Sequence, residues 1–359
     1  MKKEHDLILS LCCFADPDAE HIKELLLEHY DIVNVLGNLL YNRMGPVAWY
    51  VLKSCRLTQN VNREIRNSLQ MIYESSCKKA NRFRKMLAET ADILNELDFP
   101  YAVLKGGRLA YEYPIGLRTS NDLDILINQQ DITDLSVILK SAGYVQGYIR
   151  DNSIIPASRT EILTSRLNRG ETVPFVKQIS ENGFNEIDVN FSLDYKAKQS
   201  SAVVKQLLEE IKPFSIGKGQ IIMTLSDTDF IIHLCSHLYK EATTYKWVEM
   251  GRDLSIYKFS DIYFLIHKYL DKSLSENLIS RIHFCGLQKE CYFSLFLTSI
   301  LFSVENAYLN SVLSSIKPDD TSYMKEIIDP AKEKIYEYDM PFIDWLFCDD
   351  RCKNLKQKV

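Results

Sequence analysis

Two aspartates in the segment Asn-Asp-Leu-Asp-Ile, residues 121–125, have the spacing of a paired acidic site. Successive side chains of a β-strand point to opposite faces, so Asp122 and Asp124 project from one side while Leu123 and Ile125 pack behind them. Like charges this close raise each other's pKa and destabilise a fold unless a cation or a donor compensates. Because divalent metal ions prefer carboxylate oxygens, the spacing predicts a metal-binding pair.

A third carboxylate comes from a second predicted strand. In residues 186–191 the same alternation places Glu186, Asp188 and Asn190 on one face and apolar residues on the other. Either motif alone is more often a half-exposed strand with solvated acids. The two motifs, taken together with a glycine turn upstream, favour a site in which Asp188 joins the first pair.

The glycine turn is the segment Lys105-Gly106-Gly107-Arg108, where a predicted strand passes into a predicted helix. In this geometry backbone N–H groups and the positive end of the helix can hold phosphate, and glycine lets the ligand approach closely. A lone Gly-Gly pair is usually a plain turn, but this pair lies shortly upstream of the paired aspartates, with Arg118 between. The order predicts a phosphate-binding turn beside a metal site.

Strands that alternate with helices along the sequence are predicted to position these residues. Residues 101–104 are a short apolar run typical of a strand, residues 108–113 fit a brief helix, and residues 123–127 predict a second strand. Residues 132–142 predict a helix that Gly143 closes. The alternation favours an α/β core.

A hairpin and helical flanks complete the predicted organisation. Two runs between residues 173 and 191 flank Asn182-Gly183, a pair that favours a tight reversal between antiparallel strands. The sequence predicts short helices up to about Cys77, then a longer helix that ends near Pro100. After Pro213 the pattern predicts helices almost to the end.

Composition excludes several classes of protein. Hydrophobic residues make up 46% of the 359 residues and charged residues 25%, which is ordinary for a folded globular chain. The net charge of −5 creates no general attraction to nucleic acid or to an anionic membrane, so we expect no stable complex with either. The nine cysteines, an odd number without repeated spacing, favour a reducing cytoplasm. The apolar stretch 291–304 is shorter than the roughly 20 residues of a membrane-spanning helix.

The segment LKGGRLAYEYPIGLRTSNDLDILI, residues 104–127, resembles the signature of the nucleotidyltransferase superfamily typified by DNA polymerase beta. The resemblance is to the branch of bacterial proteins described as uncharacterised nucleotidyltransferases. In that branch helical segments precede and follow the motif, as they are predicted to do here. The likeness covers most of the chain.

The resemblance implies an α+β fold with a mixed sheet, and it implies roles for individual residues. Asp122 and Asp124 become the paired ligands of two Mg²⁺ ions, with Mn²⁺ as an alternative, and Asp188 becomes the third carboxylate. A further set becomes the nucleotide-phosphate contacts: Lys105, Gly106, Gly107, Arg108 and Arg118. The implied reaction transfers a nucleoside monophosphate from a nucleoside triphosphate such as ATP to an acceptor hydroxyl and releases pyrophosphate. The acceptor class stays open between a small molecule, a sugar, a peptide and RNA.

Two positions depart from the pattern of the resemblance. The superfamily often has Gly-Ser at the turn where this chain has Gly106-Gly107, and the branch commonly has a histidine after the third carboxylate where this chain continues with Asn190. The departures keep open a catalytically inactive binding protein of the same fold. A similar motif in toxins of phage defence keeps open an enzyme that acts on RNA.

These observations predict three segments. Residues 1–77 form a helical N-terminal region, residues 78–213 form the nucleotidyltransferase core, and residues 214–359 form a helical C-terminal domain.

Overall fold

The computed structural model describes residues 2–168, 170–180, 183–193 and 201–358. By the density of its internal contacts the chain divides into two compact units. One unit joins Met1–Ser75 to Ile231–Val359, and the other is Ser76–Phe230. The division into three segments made from the sequence stays a prediction.

The helices, numbered in chain order, are as follows: α1 Lys3–Ser10, α2 Ala19–Leu27, α3 Ile32–Tyr41, α4 Gly45–Ser54, α5 Arg63–Leu94, α6 Gly106–Glu112, α7 Ile132–Ser141, α8 Arg159–Asn168, α9 Ser201–Leu208, α10 Asp227–Ala242, α11 Tyr245–Glu249, α12 Ile256–Tyr269, α13 Lys272–Cys285, α14 Gln288–Leu301, α15 Ala307–Ile316 and α16 Phe342–Leu346. The strands are β1 Tyr101–Val103, β2 Leu123–Ile127, β3 Val145–Arg150, β4 Ser153–Pro156, β5 Phe175–Ser180, β6 Gly183–Asn190, β7 Lys212–Gly217, β8 Gln220–Thr224, β9 Glu326–Asp329, β10 Lys334–Tyr338 and β11 Leu355–Gln357.

The unit Ser76–Phe230 is built on an eight-stranded mixed sheet in the order β4-β3-β5-β6-β2-β1-β8-β7. Strand β2 pairs parallel with β6, and β1 pairs parallel with β8, while the remaining neighbours are antiparallel. This confirms the predicted α+β class. The order also shows that strands distant in sequence become neighbours, since about sixty residues separate β2 from β6.

One face of this sheet is covered by the apolar stripe of α5. Phe83 and Leu87, one helical turn apart, lie with Ile125 and Val189 in a single buried core cluster. Helix α5 begins at Arg63, after the Asn62 side chain accepts a hydrogen bond from the N–H of Ile65 at 2.9 Å. The prediction of short helices up to Cys77 is therefore wrong in its last part, because residues 63–94 contain neither glycine nor proline and continue as one helix.

The prediction of helices after Pro213 is confirmed for α10 to α15 and is wrong for the residues that come first. Strands β7 and β8 form a hairpin around Gly217-Lys218-Gly219, whose three residues all have positive φ. Strand β8 joins the sheet through the pairing of Thr224 with Val103, more than a hundred residues away. Short runs of this kind become strands only through such long-range pairing, which a local pattern does not contain.

The other unit is mainly helical. Several contacts connect its sequence-distant parts: for example, the Asn42 side chain accepts from the N–H of Ile256 at 2.9 Å, and the Arg351 guanidinium donates to buried Asp253 at 2.7 Å. Strands β9, β10 and β11 form a small antiparallel sheet near the C-terminus, a second departure from the predicted helical pattern. Within the described ranges, no helix combines the length and the apolarity needed to cross a bilayer.

Candidate active site

Neighbouring strands β2 and β6 bring Asp124 and Asp188 side by side. In this parallel pair Leu123 lies opposite Ile187, and Asp124 lies opposite Asp188. Leu123, Ile125 and Ile187 are fully buried in the core beneath α5. Because side chains alternate along a strand, both aspartates must point to the other face of the sheet. The pairing predicted from two separate sequence motifs is thus present in the structure.

Two more carboxylates extend this group along the strands. Asp122 comes two residues before Asp124 and is half-buried, and Glu186 comes two residues before Asp188 and is half-buried as well. The Ser120 hydroxyl donates to Asp122 Oδ1 at 2.9 Å. We call Asp122, Asp124, Glu186 and Asp188 together the acidic face.

Burial and the repulsion between carboxylates raise the pKa of two groups of this face, Asp188 and Glu186. Burial, followed by the charges of Asp124 and Asp122, raises the pKa of Asp188 well above its ordinary value of 3.8. Burial and the charge of Asp122 likewise raise the pKa of Glu186. A raised carboxyl pKa means that the negative charge is poorly compensated in the folded chain. The acidic face therefore favours any cation that can reach it.

One lysine and one asparagine already contact Asp124, which is only 7% exposed. Lys105 Nζ lies 2.8 Å from Asp124 Oδ1, and Asn190 Nδ2 donates to the same oxygen at 3.4 Å. Asn190 stands where the resemblance leads one to expect a histidine. Its amide contributes a neutral donor that no change of pH near neutrality alters.

The Gly-Gly turn packs tightly beside this pair. The N–H of Leu104 donates to the backbone oxygen of Asp124, and the N–H of Gly107 donates to the oxygen of Leu104, each at 3.0 Å. A Cβ on Gly107 would lie 2.2 Å from Val103 Cγ1, which no packed structure tolerates. The space is too small for the serine that the superfamily often carries. The N–H of Gly107 donates within the turn and closes it. The small space beside Val103 explains why residue 107 is a glycine.

A Cβ on Gly106 would meet Ser120, with its Oγ 2.6 Å away. Glycine at this position lets the turn approach the loop that leads into β2. Ser120 is also the residue that donates to Asp122. The two glycines therefore let the turn pack against the acidic residues. The sequence motif alone does not distinguish this packing role from direct contact with phosphate.

Arg108 does not join the acidic face. Its guanidinium is 1% exposed, pairs with Glu112 and Asp227, and lies 4.6 Å from the centre of the Phe230 ring. Burial alone would lower the pKa of Arg108, but the two carboxylates raise it above its ordinary value. The structure thus places this predicted phosphate contact inside an internal ion-pair network. Arg118 is half-buried and donates to the backbone oxygen of Thr119.

The carboxylates suit a metal ion by their chemistry, but their side chains are not arranged around one metal position. Across the described ranges, no three or more His, Cys, Asp or Glu side chains are grouped so as to hold a metal ion. Lys105 and Ser120 instead take up oxygens of Asp124 and Asp122. The acidic face nevertheless offers carboxylate oxygens, which are the ligands that hard divalent cations prefer.

Several residues near the site were not predicted to belong to it. Glu171 forms an isolated antiparallel bridge with Asn190, and its charge contributes to the raised pKa of Asp188. Glu186 carried a sequence signal, since it shares the alternation of Asp188. Glu171 carried none, because its position depends on a bridge between backbone segments that no local pattern marks.

An apolar cavity is present outside the residues of the candidate site. It lies in the N-terminal helices and is lined by residues such as Leu7, Val35 and Leu69. Asn182, the predicted hairpin residue, lies outside the described residues, although β5 and β6 do form the antiparallel pair predicted around it.

Comparison with models of protein families gives a match. The model of the family described as "Uncharacterised nucleotidyltransferase" matches residues 34–303, three quarters of the chain. The match spans the Gly-Gly turn, both acidic strands and helices α10 to α14. None of the curated proteins matches the chain.

Proposed function

The chain belongs to the family of uncharacterised nucleotidyltransferases, and we propose from this premise that it is a metal-dependent enzyme of that class. It transfers a nucleoside monophosphate from a nucleoside triphosphate to an acceptor hydroxyl. The observation that carries the proposal is the in-register pairing of Asp124 with Asp188, with Asp122 next to them on the same face. Family membership supports the general activity, and the acidic face supports the dependence on metal.

The acidic face has the ligands for the metal ions of such a reaction. Asp122, Asp124 and Asp188 would hold two Mg²⁺ or Mn²⁺ ions, whose positive charge stabilises the triphosphate and the departing pyrophosphate. A metal ion on the Asp124 oxygen that Lys105 contacts at 2.8 Å would displace the ammonium. Burial first, and then the charges of Asp124 and Asp122, raise the pKa of Asp188, and a bound cation would oppose this shift.

We assign the proton transfer to Asp188. One of its carboxylate oxygens would accept the proton of the acceptor hydroxyl while that oxygen attacks the α-phosphorus in line. The bond between the α-phosphorus and its bridging oxygen breaks, and pyrophosphate leaves. Asp124, directly opposite on β2, fixes the triphosphate side of the same centre.

Cationic side chains around the turn would receive the phosphates. Lys105 already lies at the acidic face, and Arg118 lies in the loop that leads to it. Arg108 has no such role, because its partners Glu112 and Asp227 hold it in the interior.

A nucleotide-binding protein without transferase activity is the second candidate. Asn190 in place of a histidine and Gly107 in place of a serine favour it, since each removes a group that could move a proton or bind phosphate. Such a protein would bind a nucleoside triphosphate and release no pyrophosphate.

The deciding experiment follows radiolabel from α-labelled nucleoside triphosphates. The purified chain is incubated with Mg²⁺, each of the four nucleotides and a cell extract, and both transferred label and pyrophosphate are measured. We expect transfer that is lost in Asp188→Asn and Asp122→Ala, while Asp151→Asn, a change of an exposed carboxylate, leaves it intact. Binding of nucleotide without pyrophosphate release would favour the second candidate.

A further inference from the structure

The backbone of Lys105 adopts a conformation that lysine rarely takes. Its φ is 38° and its ψ is −116°, in a turn closed by the bond from Gly107 N–H to Leu104 oxygen. These angles fit the first central position of a type II′ β-turn, where glycine, asparagine or aspartate is strongly preferred. Two glycines follow immediately, yet neither occupies this position.

The surroundings of the turn hold Lys105 in this conformation from both sides. Leu104 before it is fully buried and bonded to the backbone of Asp124, and the oxygen of Lys105 accepts the N–H of Leu109 in α6. Residues in sparsely populated backbone regions persist where the surrounding structure fixes them, and they cluster at functional sites. A lysine at a backbone position that favours glycine is therefore expected where its side chain has a function.

The lysine side chain is directed at the acidic face. Its ammonium lies 2.8 Å from Asp124 Oδ1, and the two side chains are 19% and 9% exposed. Asp124 in turn lies opposite Asp188 in the parallel pair. The ammonium is therefore placed where the carboxylates most need a positive charge.

We propose that Lys105 is a positioning residue that acts as an internal counter-cation. Before substrate arrives, its ammonium holds Asp124 and limits the binding of a free divalent ion. When nucleotide and metal arrive together, the ammonium leaves Asp124 and contacts the triphosphate. The inference rests on the proposed function, since it assigns to that site an order in which the cations bind.

Lysine chemistry suits this exchange. Its ammonium is a compact charge on a flexible stem and can move between a carboxylate and a phosphate without losing its proton. A substitution that removes the charge should expose Asp124 to metal and at the same time deprive the triphosphate of a contact. The two effects have opposite signs, and a merely structural role predicts neither.

The experiment measures Mn²⁺ affinity by calorimetry without nucleotide, on the full chain and on Lys105→Met, Lys105→Arg and Lys85→Met. Lys85 controls for the loss of a positive charge, because its side chain is 80% exposed in α5. We expect Lys105→Met to bind Mn²⁺ about tenfold more tightly, a change of about 1.4 kcal/mol. Lys105→Arg and Lys85→Met should bind it as the unaltered chain does.

A second measurement uses the triphosphate as its probe. In the transfer reaction, Lys105→Met should raise the KM for nucleotide at least tenfold, and Lys105→Arg should restore most of the loss. Unchanged or weaker Mn²⁺ binding by Lys105→Met overturns the role of Lys105.

Two aspartate variants separate failure of this inference from failure of the proposed function. Asp124→Asn and Asp188→Asn should abolish Mn²⁺ binding. If both variants bind Mn²⁺ like the unaltered chain, the metal site itself is misplaced, and the proposed function fails with the inference. If they lose Mn²⁺ while Lys105→Met gains none, the inference alone fails.

Discussion

Two charged clusters in the unit Ser76–Phe230 are balanced in different ways. The first cluster, here called the balanced cluster, consists of Arg108, Glu112, Lys212 and Asp227. It pairs two cations with two carboxylates, and hydrogen bonds from Lys212 and Arg108 outweigh burial and lower the pKa of Asp227. The acidic face has four carboxylates and one contacting lysine, and the pKa of Asp188 is raised.

The contrast separates a cluster whose charges cancel from one that keeps surplus negative charge. A buried cluster whose charges cancel stabilises the packing around it once every partner is present. A cluster that keeps surplus charge makes the folded chain less stable, and it persists where function requires a ligand that supplies the missing charge. Arg108 and Asp124 stand close together in the sequence motif, and only their partners show that they belong to different classes.

Replacing one carboxylate in each cluster should give the largest difference between the two clusters. Asp188→Asn should reduce nucleotide transfer by roughly a thousandfold or more, because it removes a proton acceptor and a metal ligand. Asp227→Asn should lower the midpoint of thermal unfolding and leave transfer at temperatures below that midpoint nearly unchanged. Initial rates and thermal unfolding of both variants provide the measurement. Equal loss of transfer in the two variants would remove the distinction.

Breaking the balanced cluster at its centre should give the largest loss of stability. Arg108→Met leaves Glu112 buried without its guanidinium, which costs about 3–5 kcal/mol of unfolding free energy. Denaturant unfolding measures this, with Arg159→Met as a control at an exposed arginine of α8. A loss below about 1 kcal/mol would contradict a structural role for Arg108.

The Gly107→Ser substitution tests the packing of the turn. The added Cβ meets Val103 Cγ1 at 2.2 Å, so the change should cost about 1–3 kcal/mol, and Val103→Ala in the same chain should recover part of it. Gly37→Ser is the control, because a Cβ at that exposed position in α3 meets nothing within 4 Å. If Gly107→Ser unfolds like the unaltered chain and gains activity, the turn has room for the serine of the superfamily.

The two clusters should respond to pH with opposite signs. The raised pKa of Asp188 means that the folded chain retains this proton after the unfolded chain has lost it, so its contribution to stability falls as pH rises above 3.8. Asp227 has a lowered pKa, so its stabilising contribution is present above 3.8 and is lost as pH falls below that value.

The measurement is the unfolding free energy against pH in the absence of divalent cations. Relative to the unaltered chain, Asp188→Asn should become progressively more stable with rising pH, and Asp227→Asn should become progressively less stable. Parallel curves for the two variants would show that their charges are equally compensated.

The local elements around the site were largely predictable. Strand β2 has the predicted bounds, 123–127, because a short and mostly apolar run of this kind is typical of a buried strand. Helix α7 ends one residue before its predicted limit, and Gly143 past its end has the expected positive φ of 89°. Strands β3, β4, β7 and β8 escaped prediction, since their stability comes from neighbours in the sheet.

The sequence by itself determined which residue types face the site. Alternation along a strand is a local property, so Asp122 and Asp124 could be assigned to one side of their strand, and Glu186 and Asp188 to one side of another, before any fold was known. Only the tertiary structure decided which charges meet. The parallel register of β2 with β6 set Asp124 against Asp188, and burial beside Glu112 and Asp227 withdrew Arg108 from the phosphate contacts. Electrostatic energy depends on distance and burial, and both are fixed by packing between segments far apart in the chain.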